Sequence, residues 1–505
     1  MSHQQASPTV FDACNPRDDV LRGELAEDQF AADLASVAFD PEDAAPVYRD
    51  TTEFFASTYP TKGLQALLST ITSRFLSTTG REPEYSAGIL CLDTTFGGGK
   101  THDMIAAHHL ASNPGDIDDL ARHLEDDGLA AAYQNAVADG LSPRGAVFVG
   151  GYVDARNARS DTNDPDAPNT NTMWGEIAYQ LYGNDGYEYL KEYDRNRDSP
   201  GQKTLQGLFD LSDDPVLILI DEIAQYLEDT SGIETGGTLL STQTLSFVKS
   251  LLETASNRTD VTVVYSIADT AFTDEAETVR QEIKDLDSIE QRQQQTITPT
   301  GDTEISSVLR RRLFDDIEDG VAESVAESFY EFYRTTDRQL PQDVLDTDYR
   351  DKLERNYPFH PSTINTLTDK IDSIPGFQKT RDALRLLARA IYYLWNHKPT
   401  EYDRYLLRLY DLTPADNAPD GSIRTKLSNT LFDAIDLDPA VSSDIYTDDG
   451  SAHAQREDKR WSEKALPPLG THIVTSVLWN SLAVGEKATG LTRAELYASV
   501  AHPDV

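Results

Sequence analysis

Two kinds of apolar pattern alternate along this chain. In residues 1–84 apolar positions recur at helical spacing, as in Gln29-Phe30-Ala31-Ala32-Asp33-Leu34 and in Leu64-Gln65-Ala66-Leu67-Leu68 through Phe75-Leu76. Phe54-Phe55 and Tyr59-Pro60-Thr61 mark a turn between them, and the whole reads as a helical N-terminal region. From residue 85 the pattern changes to short β-type runs: Ala87 to Leu92, Ala146 to Val149, Val216 to Ile220, Val261 to Ile267 and Thr296 to Thr298, separated by helical stretches. A strand with one face in water alternates apolar and polar residues, whereas an unalternating apolar run suits a strand covered on both faces; helices between such strands impose parallel pairing. Residues 85–303 are therefore expected to form an α/β layered domain around a parallel five-stranded sheet.

Helical spacing returns over residues 304–410, punctuated by Tyr357-Pro358-Phe359-His360-Pro361. Residues 411–463 are polar and Asp-rich and include Thr447-Asp448-Asp449-Gly450, the composition of a linker or surface insertion. In residues 464–505, His472 to Leu482 reads as one helix, and Thr492-Arg493-Ala494-Glu495 has capping-box spacing before Leu496 and Tyr497. A helix, a Gly-containing turn and a capped second helix resemble the start of a winged-helix module. The sequence stops at Val505 without a third helix or wing, so either the module is incomplete or the chain is the N-terminal portion of something longer. No repeat is visible at periods of about 20 to 50 residues.

The sharpest chemical signal is Asp93-Thr94-Thr95-Phe96-Gly97-Gly98-Gly99-Lys100-Thr101, directly after the first β-type run and before the helical Met104-Ile105-Ala106-Ala107. Residues without a β-carbon let successive backbone N–H groups turn inward around an anion, and the N-terminus of the following helix adds partial positive charge. Thr95, Phe96, Gly97, Gly98, Gly99, Lys100, Thr101 and His102 are thus the candidate nucleotide contacts, with Lys100 reaching the β- and γ-phosphates and the Thr101 hydroxyl available to Mg²⁺. The full phosphate-loop pattern asks for glycine where this chain has Thr94. The competing reading is a flexible glycine turn. A second element, Val216-Leu217-Ile218-Leu219-Ile220-Asp221-Glu222, ends an apolar strand in adjacent carboxylates: Asp221 faces Mg²⁺ and Glu222 is the general base for an attacking water. Alone, the pair would read as a helix N-terminus in an acidic protein. Together with the loop upstream on the same strand pattern, it implies triphosphate hydrolysis.

Further candidates are weaker. Ser266 closes the next strand, where ligands bind in open α/β sheets, and either positions the water or caps the following segment. A guanidinium that neutralises charge on the γ-oxygens is offered by Arg292, by the run Arg310-Arg311-Arg312, and by Arg381 and Arg385, although most arginines in so acidic a chain simply pair with carboxylates. His102, His108 and His109 lack metal-ligand spacing and read as structural, and the tryptophans as core. No motif fixes ATP over GTP.

Composition narrows the setting. Across 505 residues, 44 Lys+Arg against 86 Asp+Glu give a formal charge of −42, spread along the chain, with Arg about twice as frequent as Lys. At molar salt the Debye length is ~3 Å and such self-repulsion is screened, so the composition suits a salt-loving, archaeal-type host. Disorder does not fit a chain that is 39% hydrophobic with periodic apolar segments. Two cysteines, Cys14 and Cys91, cannot build a disulfide framework or a four-thiolate zinc site, and there is neither a secretory leader nor an apolar run approaching ~18 residues. A cytoplasmic setting is expected, with no membrane partner.

Thr58-Tyr59-Pro60-Thr61, Phe96-Gly97-Gly98-Gly99-Lys100-Thr101-His102, Trp174-Gly175-Glu176-Ile177-Ala178, Arg311-Arg312-Leu313-Phe314, Tyr357-Pro358-Phe359-His360-Pro361 and Phe377-Gln378-Lys379-Thr380-Arg381-Asp382-Ala383-Leu384-Arg385 occur in this order. Together they resemble a poorly characterised family of prokaryotic AAA+ ATPases whose genes are often found beside DNA methyltransferases and helicases in phage-defence islands. The resemblance spans about residues 10 to 400, and members are typically much longer. It implies a P-loop AAA+ core with a helical lid, in which Asp382-Ala383-Leu384-Arg385 aligns with the Gly-x-x-Arg of a lid sensor. Asp382 stands in place of that glycine, which leaves Arg381 as the alternative to Arg385. It further implies Mg²⁺-dependent ATP hydrolysis driving remodelling of a nucleic-acid or protein partner in antiviral defence, with DNA, a methyltransferase or a helicase as partners and homo-oligomers as an assembly. Two other readings stay open: an ATP-gated DNA-binding switch in the style of replication initiators, with little turnover, and a scaffold with a degenerate loop.

Overall fold

The computed structural model describes residues 8–23, 30–81, 87–93, 99–156, 158, 167–266, 294–301, 303–371, 374, 377, 379–399, 402–413, 437–463, 466–482 and 490–503. The chain divides into two compact units, residues 32–302 and residues 1–31 together with 303–505, so the N-terminal helical region is shared between them.

In the unit 32–302, five parallel strands form one sheet: β1 (Ile89–Leu92), β2 (Arg144–Val149), β3 (Val216–Asp221), β4 (Val261–Ser266) and β5 (Gln294–Ile297), in the order β2-β3-β4-β1-β5. Helices α1 (Leu34–Phe39), α2 (Lys62–Ser77), α3 (Lys100–Ser112), α4 (Asp127–Ala138), α5 (Met173–Asn196), α6 (Ile223–Thr230) and α7 (Leu240–Ser256) surround it. The unalternating runs have the expected cause. Leu90, Leu92, Val147, Val149, Leu217, Leu219 and Val264 face one buried layer with α2, α3 and α4. Their neighbours Ile89, Cys91, Ala146, Phe148, Ile218, Ile220 and Val263 face a second layer with α5 and α7.

The strand bounds depart from the apolar runs in instructive ways. β5 begins at Gln294, two residues before the expected Thr296, because the backbone pairing Ile89↔Gln294 and Leu90↔Gln295 needs no apolar side chain. β2 extends back to Arg144 for the same reason, Arg144 N–H donating to the Pro215 carbonyl at 2.8 Å. At the outer edge of β2, Gln180 stands in for a sixth strand: Val147 N–H donates to Gln180 Oε1 at 2.7 Å, while Gln180 Nε2 donates to the Val147 carbonyl at 2.9 Å and to Glu176 Oε1 at 2.8 Å. A short hairpin, Glu234–Thr235 with Thr238–Leu239, has no counterpart in the apolar pattern.

The unit formed by residues 1–31 and 303–505 is mainly helical, with α8 (Ile305–Leu313), α9 (Val321–Thr335), α10 (Lys379–His397), α11 (Leu469–Ser481) and α12 (Arg493–Val500). It also holds an antiparallel pair, Cys14–Pro16 with Phe314–Ile317. Thr492 and Glu495 close the capping box that their spacing anticipates, Glu495 N–H donating to Thr492 Oγ1 at 3.2 Å and Thr492 N–H to Glu495 Oε2 at 2.7 Å. Within the polar stretch 411–463, residues 414–436 lie outside the described residues; a helix, His453–Ser462, occupies its end. Asp458 on that helix accepts the Gly470 N–H at 2.6 Å at the head of α11. Cys14 and Cys91 are both buried thiols. Among the described residues no helix is long and apolar enough to cross a membrane.

Candidate functional site

Parallel strands of equal hand bring their carboxyl ends to one rim, which is where the chemistry-bearing residues of the unit 32–302 gather. Val149 of β2 pairs with Asp221 of β3, Ile220 of β3 with Tyr265 of β4, and Leu92 of β1 with both Ser266 of β4 and Ile297 of β5. Past Leu92 the chain reaches Gly99, whose φ of 92° lies in the left-handed region, and α3 starts at once with Lys100. A β-carbon on Gly99 would also come within 3.2 Å of Thr300 Oγ1. Thr94, Thr95, Phe96, Gly97 and Gly98 lie outside the described residues, as does Arg292.

Asp221 is the hub. The residue is 4% exposed, and its carboxylate accepts three hydrogen bonds. Thr101 Oγ1 donates to Oδ2 at 3.1 Å; Ser266 Oγ and the Glu222 N–H, the latter at 3.0 Å, both donate to Oδ1. Three donors on one buried carboxylate satisfy its hydrogen-bonding capacity on both oxygens. Thr101 and Asp221 together present a hydroxyl and a carboxylate oxygen side by side, the hard oxygen donors that Mg²⁺ takes while keeping waters and phosphate oxygens for its other positions. Among the described residues no cluster of His, Cys, Asp or Glu large enough to be a metal centre of its own occurs.

Glu222 sits in the left-handed region at φ 53° between β3 and α6, as the residue directly before the helix starts at Ile223. Burial pushes its carboxyl above the ordinary range, with the charges of Asp221 and Asp33 acting in the same direction. The room for it comes from two glycines that the sequence reading passed over. A β-carbon on Gly150 would lie 2.1 Å from the Glu222 carbonyl oxygen, and one on Gly151 would lie 2.9 Å from Glu222 Oε2. Gly150 N–H also donates to the Asp221 carbonyl at 2.9 Å, extending the ladder one residue beyond β2. A glycine pair directly after an apolar strand was the available signal.

The turn Thr58-Tyr59-Pro60-Thr61 lies beside α3 and the segment after β5. His102 is half-buried, with Nε2 at 3.0 Å from Thr58 Oγ1 and its ring 4.6 Å from that of Phe54. Thr61 Oγ1 accepts the Leu64 N–H at 3.1 Å, capping α2, and donates to the Pro299 carbonyl at 2.6 Å. His109 is held in the core between Thr51 Oγ1 at 2.9 Å and the Tyr48 carbonyl at 2.8 Å, and burial lowers its proton affinity.

Arg381 and Arg385 belong to α10 in the other unit. Arg385 is buried and ion-paired with Asp382 at 3.1 Å. Arg312 likewise pairs with Asp19 at 2.8 Å.

Two solved structures show partial similarity. The ORC2 protein of Aeropyrum pernix, in ADPNP and ADP complexes, matches at 13% identity over 75% of this chain and 69% of that one, with a TM-score of 0.33. PCH-2 of C. elegans matches at 12% identity over 65% of this chain and 67% of that one, with a TM-score of 0.21. No curated protein gives a significant sequence match. Family models match nearly the whole chain, the DUF499 N-terminal domain over residues 10–296 and the DUF499 second domain over residues 300–489. The rim that gathers Thr101, Asp221, Glu222 and Ser266 thus lies inside the first of these, and the chain belongs to the DUF499 family.

Proposed function

We propose that the protein is a Mg²⁺-dependent AAA+ ATPase whose hydrolytic centre is the rim formed by Lys100, Thr101, Asp221 and Glu222. One observation carries the reading: a buried carboxylate at the end of β3 accepts the hydroxyl of the first turn of α3, so Thr101 at the head of α3 and the acidic pair share one rim of one parallel sheet. Lys100, at the head of α3, binds the β- and γ-phosphates together with the loop amides. Thr101 and Asp221 would hold Mg²⁺, which when bound offsets phosphate charge. Glu222 accepts the proton of the attacking water at a carboxylate oxygen, and its raised proton affinity suits a base. Ser266 keeps Asp221 aimed at the Thr101 hydroxyl.

Arg385 or Arg381 as lid sensor completes this reading by resemblance, and Arg292 as a charge-neutralising finger and the loop residues Thr95 to Gly98 as phosphate contacts complete it by their residue chemistry. DNA, a methyltransferase or a helicase as partners, a role in antiviral defence and a homo-oligomeric state are added by the resemblance, and a cytoplasmic, salt-loving setting by the composition. The test is ATP hydrolysis in molar KCl, with and without DNA. Sustained turnover that Lys100→Ala and Glu222→Gln both abolish is the expected result. A burst of one ATP per chain would replace the motor by a nucleotide-gated switch, and turnover by Glu222→Gln at the parental rate would end the base assignment.

A further inference from the structure

Gly150 and Gly151 form the floor on which Glu222 rests, yet a glycine pair has more backbone freedom than any other dipeptide. Something must hold it. On its N-terminal side the floor is anchored by β2, through the pairing of Val149 with Asp221 and the Gly150 N–H on the Asp221 carbonyl at 2.9 Å. On its C-terminal side the next residue is Tyr152. Its N–H closes a turn onto the Val149 carbonyl at 3.1 Å, its ring stacks on Phe39 with centroids 5.4 Å apart and planes 11° from parallel, and its hydroxyl donates to Asp40 Oδ2 at 2.6 Å.

Phe39 and Asp40 close α1, and α1 is itself fixed: Asp33 caps it by accepting the Ala35 N–H at 3.0 Å and the Ser36 N–H at 3.2 Å, and Leu34, Ala35 and Val37 are buried in the layer that holds Val149. A tyrosine 52% exposed gains little burial from this arrangement, so its ring and hydroxyl serve geometry more than the core.

We propose that Tyr152, clamped by Phe39 and Asp40, is a positioning residue that sets the place of the Glu222 carboxylate, so that the segment ahead of the sheet governs the hydrolytic step without touching nucleotide. The inference rests on Glu222 being the base. A displacement of about 1 Å at a catalytic group can cost up to ~10²-fold in rate, so freeing the Gly151 end of the floor should be felt in turnover and not in nucleotide binding.

The experiment compares the full chain with Tyr152→Ala, Tyr152→Phe and Asp40→Asn in molar KCl, reading kcat, KM for ATP, affinity for a fluorescent ATP analogue and Tm. For Tyr152→Ala kcat is expected to fall ~10-fold with KM and analogue affinity within about twofold of the parent. Tyr152→Phe, which keeps the stacked ring, should restore most of that loss, and Asp40→Asn should behave like it. Parental kcat in Tyr152→Ala, or a rise in KM at unchanged kcat, overturns the proposal. If Tyr152→Ala does not yield folded protein, Phe39→Leu removes the stacking and is read by the same split. The two failures separate cleanly: full activity of Glu222→Gln sinks the base reading, whereas an inactive Glu222→Gln beside a fully active Tyr152→Ala sinks the clamp alone.

Discussion

The Thr101 hydroxyl donates to Asp221 Oδ2 across 3.1 Å, joining residues 120 positions apart in sequence. Ser266 holds the other oxygen of the same carboxylate. Losing a hydrogen-bond partner that orients a metal-binding carboxylate typically costs ~10–100-fold in metal affinity or activity. Ser266→Ala should therefore raise the Mg²⁺ concentration needed for half-maximal ATP turnover by about that factor. Thr101→Ala should lose Mg²⁺-dependent nucleotide affinity, while Thr101→Ser keeps it. Titrating Mg²⁺ at fixed ATP measures both, and an unchanged Mg²⁺ requirement in Ser266→Ala would remove Ser266 from the site.

Glu222 is expected to be dispensable for binding and necessary for turnover. A positioned general base contributes ~10²–10⁴-fold, so Glu222→Gln should lose kcat by that range and trap bound ATP. The check is a filter-binding assay beside a phosphate-release assay on the same preparation.

The glycine floor gives opposite signatures at adjacent positions. At Gly150 an added β-carbon meets the Glu222 carbonyl oxygen at 2.1 Å, which is backbone and cannot step aside. Gly150→Ala should cost at least the ~1–3 kcal/mol typical of overpacking and lower Tm. At Gly151 the β-carbon meets Glu222 Oε2 at 2.9 Å, the free end of a side chain. Gly151→Ala should keep Tm near the parent and lower kcat, because the carboxylate swings away.

Much of this arrangement is legible in the residues themselves. Unalternating runs give four strands within two residues at either end, since burial on both faces leaves a mark on every position, and the acidic pair lies at the rim because a buried strand must end where its polar residues begin. β5 is less legible: Gln294 and Gln295 belong to the ladder through backbone groups that carry no side-chain signature. The Gly150-Gly151 floor is hidden for another reason. Its requirement is the absence of atoms, and a glycine pair in sequence looks like any turn until Glu222 is placed above it. Likewise Trp174-Gly175-Glu176-Ile177-Ala178 reads as a helical start, but nothing in it discloses that Gly175 must leave room for the buried Asp194, whose Oδ1 would be 2.2 Å from a β-carbon there.

Acid should weaken the unit containing α11 and α12. His360 is fully buried; its Nδ1 accepts the Ser362 N–H at 3.2 Å, so the proton lies on Nε2, which donates to Tyr333 Oη at 3.1 Å. Burial, then the guanidinium of Arg408, holds it well below the usual imidazole range, and burial with Arg404 and Arg408 does the same to His472, stacked 3.9 Å from Tyr410. A folded-state value below the unfolded one means that the unfolded chain binds more protons as pH falls below ~6.5, so the stability from neutral imidazole is present above that pH and is lost beneath it, by up to ~1.4 kcal/mol per pH unit for each group. Urea unfolding between pH 7 and 5 at fixed molar KCl should show this slope, and His360→Asn, which can still cap Ser362, should flatten it. An identical slope in that variant would mean that His360 does not titrate on unfolding.

Salt should do the reverse of acid. With a formal charge of −42, the folded chain concentrates like charges that the unfolded chain spreads apart. Raising ionic strength from 0.15 M to 1 M shortens the Debye length from ~8 Å to ~3 Å and removes most of that repulsion. The buried pairs Arg404–Asp411 and Arg385–Asp382, both at 3.1 Å, lie beyond the reach of added ions and keep their attraction, whereas an exposed pair such as Arg460–Glu457 loses little because it contributes little. Tm should therefore climb steeply with KCl up to about 1 M, where the Debye length falls below the spacing of surface charges, and flatten beyond it if screening is the cause. A Tm that is flat from dilute buffer upward would show that the acidic surface carries no such strain, and one that keeps rising linearly past several molar would assign the effect to salt exclusion from the apolar surface instead.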